Sequence, residues 1–165
     1  MLPIVIACQR VNVGLAGASD GRARRGAQLA EAGIRAVPVN EAEPLPRIAL
    51  LFVAGLDEHA ARRLVERAHA AAILVNVEDV PELCDFHVPA IVRRGDLVLT
   101  ASTGGRAPGL ARRLREWLED RFGPEWDDRL RDVSSARDGW RAAGLPTHEV
   151  AARTRDMIGE RGWLQ

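Results

Sequence analysis

Strand-like and helix-like stretches alternate through the first two-thirds of the chain, which predicts an α/β fold around a parallel sheet. Apolar, β-branched residues at 3–7 and 11–15 read as strand. After a glycine-bearing turn at 17–21, Ala23, Ala27, Ala30 and Ile34 recur at helical spacing, and Gly33 is placed to stop that helix. A second strand covers 36–39. The third, 48–54, is apolar throughout, as a strand covered on both faces should be. Ala60, Ala61, Leu64, Val65 and Ala68 form one helical stripe, and the apolar run that follows becomes a strand ending near Asn76. Residues 97–101 read as a further strand. Pro108 then opens an amphipathic helix carrying Leu110, Leu114, Trp117, Leu118 and Phe122 on one face, and Gly123-Pro124 breaks it. Two more helices are predicted near 126–143 and 147–161, with Thr147 as an N-cap.

Two places in this pattern suit chemistry. The strand ending near Asn76 puts Glu78 and Asp79 at its carboxyl edge, where ligands sit in open parallel sheets. Neighbouring carboxylates at a partly closed edge push one pKa toward neutrality, which suits Asp79 for proton handling. Glu78 is expected on the opposite face and is the poorer candidate. A turn- or helix-capping aspartate ahead of Pro81 is the alternative for Asp79. The second place is the turn Ser102, Thr103, Gly104, Gly105 ahead of the Pro108 helix, whose backbone N–H groups suit anionic ligands.

The segment from Val75 to Arg113 resembles the precorrin-2 dehydrogenase / sirohydrochlorin ferrochelatase family, the N-terminal module of siroheme synthase. That family carries N-V-x-D at a strand end, a Phe before P-A-I, and an S-[ST]-G-G-x-[SA]-P-x-L-A-R turn and helix. Here these are Asn76-Val77-Glu78-Asp79, Phe86, Pro89-Ala90-Ile91, and the run from Ser102 through Arg106 and Pro108 to Arg112. The resemblance implies a shortened Rossmann-like domain over 1–87, a dimerisation and substrate-binding segment over 88–122, and a C-terminal helical region over 123–165. It implies NAD as cofactor, precorrin-2 or sirohydrochlorin as tetrapyrrole substrate, ferrous iron as a second substrate if the chain is bifunctional, and a homodimer. Asp79 is then the catalytic base. Ser102, Thr103, Gly104, Gly105 and Arg106 border the substrate, whose acetate and propionate groups suit Arg106, Arg93 or Arg94.

The cofactor residues in this reading are Gly17, Ser19, Asp20 and Gly21 in the first turn, and Asn40 and Glu41 after the second strand. Glu41 favours NAD, because a carboxylate repels the ribose phosphate of NADP. The chain departs from the family here. Relatives have three glycines followed by x-V-A-x-R-K; this chain keeps Gly17, has Ala18 and Ser19 next, puts Gly21 and Arg22 in place of Val-Ala, and matches Arg-Lys with Arg24-Arg25. An extra strand and helix that relatives carry before the 48–54 strand is missing, and 55–58 stands in for their Thr-Asp-Asp. These departures keep two alternatives open: a chelatase without dehydrogenation, and a non-catalytic tetrapyrrole or nucleotide binder.

Composition narrows the setting. Of 165 residues, 47% are hydrophobic and 28% charged, as in a soluble globular protein. No apolar run is long enough for a membrane span, and the N-terminus lacks the basic region of a signal peptide. All 23 basic residues are arginine and balance 23 acids to zero net charge, which does not indicate a nucleic-acid surface and removes lysine chemistry. Cys8 and Cys84 form no CxxC, and no histidine–cysteine cluster has metal-ligand spacing, so no resident metal is expected. His87 is the histidine nearest the proposed site. A reducing cytoplasm is the expected location.

Overall fold

The computed structural model describes residues 2–164, and the chain divides into two compact units that meet at Val88 and Pro89. Met1 and Gln165, the ends of the expected first and last segments, lie outside the described residues.

The first unit is a four-stranded parallel sheet in the order β2-β1-β3-β4. Its strands are β1 (Val13–Gly17), β2 (Val37–Val39), β3 (Leu50–Ala54) and β4 (Leu74–Val77), joined by α1 (Ser19–Glu31) and α2 (Glu58–Ala70). Side chains alternate between faces with a period of two. Val13, Leu15, Leu50 and Phe52 pack with Leu29 of α1. Ala16, Leu51, Val53, Val75 and Val77 pack against Ala61, Leu64, Val65 and Ala68 of α2. Both faces of β1 and β3 are therefore covered, which explains their unbroken apolar runs.

The order fixes where a ligand can enter. The chain leaves β1 toward β2 and returns to the other side of β1 for β3, so the strand order reverses between β1 and β3. Their carboxyl ends, Gly17 and Ala54, lie side by side in register. The connection from β2 to β3 contains no helix. Arg67 of α2 instead pins it, donating both Nη groups to the carbonyl oxygens of Glu41 and Glu43. β2 is consequently an edge strand.

Residues 3–7 do not form the expected strand. They lie outside the sheet, and Val5 is 92% exposed. The chain enters the sheet only at Val13, after a short 3-10 turn at Cys8–Arg10. The α1-side face of β4, where no helix lies, is closed by the segment after Pro81: Asn76 Nδ2 donates to Phe86 O at 2.9 Å, and the Phe86 ring meets Phe52 edge-on at 5.3 Å.

The second unit is a hairpin, β5 (Ala90–Arg94) and β6 (Leu97–Ala101), followed by α3 (Pro108–Arg121), α4 (Trp126–Ala142) and α5 (Thr147–Glu160). Gly95 sits at φ 55° in the two-residue turn, as tight hairpins demand. Arg94 caps the end of α3, donating to Phe122 O at 2.7 Å and Glu119 O at 3.2 Å. The N-cap of α5 is Pro146, not Thr147; Thr147 is the first helical residue, and no side chain caps the helix start. Arg129 lies between Trp126 and Trp163, 4.8 and 5.4 Å from their ring centres, so two of the three C-terminal tryptophans pack within the unit. Leu110, Leu114 and Trp117 of α3 remain exposed, Trp117 by 58%. No helix among the described residues is long and apolar enough to cross a membrane.

Candidate functional site

The β1–α1 turn is held against the loop after β3 by backbone alone. Ala18 N–H donates to Ala54 O at 3.2 Å. Gly17, at φ 135°, leaves so little room that a Cβ there would lie 1.8 Å from Ala54 O, and no other residue fits. Ser19, Asp20 and Gly21 are not part of a loop as expected; they form the first turn of α1. Ala18, at the N-cap, contributes no side-chain bond. The first-turn amides of α1 are thus left without a capping side chain, at the point where the strand order reverses. Of Ser19 only the backbone is described.

Beyond β2, Asn40 closes a turn on itself: its Oδ1 accepts from Ala42 N–H at 3.0 Å, and its Nδ2 donates to Glu43 at 2.9 Å. The Asn40 side chain is therefore used by the loop, while the Glu41 side chain is exposed. Asp57, in the segment standing in for Thr-Asp-Asp, is the N-cap of α2, accepting from Ala60 N–H at 3.0 Å. That backbone bond holds its carboxyl below the usual carboxylate range.

At the end of β4 the acidic pair separates. Glu78 N–H extends the ladder to Val53 O at 2.9 Å, and the Glu78 carboxylate turns to α1, 3.1 Å from Arg24 and 3.9 Å from Arg25. Asp79 follows at φ 62°, in the left-handed region that non-glycine residues seldom occupy, and it is exposed. Its carboxylate makes no hydrogen bond or ion pair among the described residues. The capping alternative is absent: the 3-10 turn at Pro81–Leu83 has Val80 at its N-cap and no side-chain cap. Cys84 backs this edge from below, its Sγ donating to Val77 O at 3.1 Å, and burial raises its thiol pKa. His87 is exposed.

In the second unit, Gly104 and Gly105 take φ values of 64° and 77° in the turn before α3. Three of the amides here are already satisfied: Gly104 N–H donates to Ser102 Oγ at 3.3 Å, Arg106 N–H to Thr103 O at 3.2 Å and Ala107 N–H to Thr103 Oγ1 at 3.1 Å. The donors left for a ligand are fewer than the glycine content suggests. Arg106 is exposed with no ion pair among the described residues. Arg94, a sequence candidate for ligand carboxylates, is instead committed to α3 carbonyls. No group of three or more metal-binding side chains occurs among the described residues.

A family model for NAD(P)-binding domains matches residues 4–90, more than half of the chain. The chain belongs to that NAD(P)-binding family. Among curated proteins, this NAD(P)-binding chain is 50% identical over 72 residues to the siroheme synthase of Methylobacillus flagellatus, a match covering 43% of the chain and 15% of that protein. It is 44% identical over 75 residues to the siroheme synthase of Hydrogenovibrio crunogenus, covering 46% of the chain and 16% of that protein. The match thus spans about a sixth of these relatives' length. Among solved structures, "SirC, precorrin-2 dehydrogenase" superposes with a TM-score of 0.76 at 17% identity, covering all of this chain and 93% of that one, and it shares the Rossmann-like α/β fold with a helical C-terminal region.

Two features escaped the sequence reading. The inward turn of Glu78 depends on arginines more than fifty residues away, and the Arg67 clamp depends on a contact across the missing helix. The one signal in the sequence was distant too, the unusual Gly21, which clears space beside Glu78.

Proposed function

We propose that this chain is an NAD-dependent dehydrogenase that oxidises precorrin-2 to sirohydrochlorin in siroheme synthesis, acting as a cytoplasmic homodimer. The observation that carries this reading is the carboxyl edge of the parallel sheet. It combines the uncapped start of α1 at the strand-order reversal with an exposed, left-handed Asp79 following β4. The similarity to siroheme synthases supports the same substrate class.

The first-turn amides of α1 and the glycine at 17 fit a dinucleotide pyrophosphate. Gly17, Ser19, Asp20 and Gly21 would hold it. Asn40 shapes the loop that presents Glu41 to the adenosine ribose, and the Glu41 carboxylate disfavours a ribose phosphate, hence NAD over NADP. Hydride acceptance is the chemistry that nicotinamide supplies when bound. The chain's own part is the proton: the Asp79 carboxylate, with no partner among the described residues, accepts it from the ring carbon as the new double bond forms. The Ser102 hydroxyl and the Arg106 guanidinium donate to the carboxylates fringing the macrocycle, with Thr103, Gly104 and Gly105 shaping that turn. A second copy covers the exposed stripe of Leu110, Leu114 and Trp117.

Adding precorrin-2 anaerobically to protein and NAD, and following NADH and tetrapyrrole absorbance, tests the reading. Turnover with NAD is the expected result, and Asp79→Ala lowers it about 10²- to 10⁴-fold with the fold retained. Unchanged turnover in that variant removes Asp79 from the mechanism. The helix-free β2–β3 connection favours one other reading, a chelatase with a reduced cofactor wall. Insertion of ferrous iron into sirohydrochlorin without NAD consumption would establish it, and tetrapyrrole binding alone would leave a carrier.

A further inference from the structure

Glu78 is the least exposed acidic side chain at the sheet's carboxyl edge, 17% accessible, and both of its cationic partners come from α1. One of them, Arg25, is itself only 14% exposed and lies over the Phe52 ring at 5.5 Å, so its guanidinium is anchored in the core. The contact has been given room. A Cβ built on Gly21, where relatives carry valine, would lie 3.2 Å from Glu78 Oε2 and 2.9 Å from Gly55 N. The missing side chain at 21 and the carboxylate at 78 occupy one space between the first turn of α1 and the end of β4.

Immediately after Glu78, Asp79 holds a left-handed backbone conformation that non-glycine residues seldom occupy. Such strain persists only where the surroundings over-determine it. On the far side, Val80 packs against the α2-side core and its carbonyl accepts from Cys84 Sγ at 3.5 Å. On the near side the backbone of Glu78 is fixed by Val53 and its side chain by α1.

We propose that Glu78 is a positioning residue: its ion pair with Arg24 and Arg25 holds Asp79 in the left-handed conformation and ties that carboxylate to the helix that receives the dinucleotide. The inference rests on the reading of Asp79 as proton acceptor. Its structural half, the hold on Asp79, stands independently of activity.

Hydrogen exchange and steady-state kinetics on the full chain test both halves. In Glu78→Ala the amides of 78–80 and of the first turns of α1 exchange faster together. kcat falls on the order of tenfold or more while KM for NAD moves by less than about threefold. Glu78→Gln keeps an acceptor for Arg24, restores most of the turnover and secures the test if the alanine variant does not fold. Arg24→Ala lowers kcat as well, and the double variant Arg24→Ala/Glu78→Ala is no worse than Glu78→Ala alone. Wild-type exchange and kcat in Glu78→Ala, or additive losses in the double variant, overturn the proposal. If instead the wild type or Asp79→Ala shows that Asp79 takes no part in turnover, the functional reading fails, and the exchange data alone decide whether Glu78 holds the loop.

Discussion

The two units are built on different terms. In the first, β1 and β3 bury apolar side chains on both faces and β4 on its α2 side, and Leu51, Leu64, Val53 and Val75 are almost wholly inaccessible. In the second, Val92, Ala101 and Val150 are the buried hydrophobics among the described residues, while Ile91, Leu110, Leu114 and Trp117 face outward. Its helices are laced by surface ion pairs such as Arg112–Glu116 and Arg131–Asp127, each worth little in water. The first unit has its core already. The second has an apolar helix face with little buried behind it, and the proposed second copy rests on that face.

This contrast can be broken by mutation. The largest stability loss is expected in the first unit, where Leu64→Ala empties a site with no exposed side and costs about 2–5 kcal/mol, measured by urea denaturation. A similarly large loss from Leu114→Ala would show that α3 is buried by its own chain. Next comes assembly: Leu114→Glu with Trp117→Ala shifts sedimentation from dimer to monomer and makes thermal unfolding independent of protein concentration. A wild type already monomeric at high concentration would remove the second copy from the account. The smallest effect is local to the first unit. Because the folded-state pKa of Asp57 lies below its unfolded value, the native state releases that proton first, and the carboxylate's contribution to stability is present above the usual carboxylate range and lost as pH falls. Asp57→Ala therefore lowers the melting temperature by a few degrees at neutral pH, and the two melting curves converge in acid. Parallel curves at all pH would mean that the cap acts without its charge.

The sequence was most readable where one local rule decides an element. Pro108 at the first helical position and Gly33 just past the C-cap of α1 mark their helices because each answers a backbone need on the spot. Strand β6 was legible by its unbroken β-forming run, but its partner β5 was not: Arg93 and Arg94 blur the alternation, and only the pairing across Gly95-Asp96 makes it a strand. Residues 3–7 failed in the opposite way. Their β-branched composition fits a strand, yet they stay outside the sheet, so propensity alone does not prevail. At the candidate site the positions of Gly17 and Asp79 follow from strand ends. The backbone hand of Asp79, the inward turn of Glu78 and the diversion of Arg94 to α3 all depend on contacts across tens of residues, which a linear pattern does not carry.

Losing a helix and a strand from a sheet bares an edge, and bare edges invite other chains to add on. Here β2 is three residues long with Pro38 at its centre, opposite Leu15 of β1. An incoming strand meets a ring where it needs a donor, along a template too brief to register against. The shortened fold thus carries its own guard against fibre-like polymerisation.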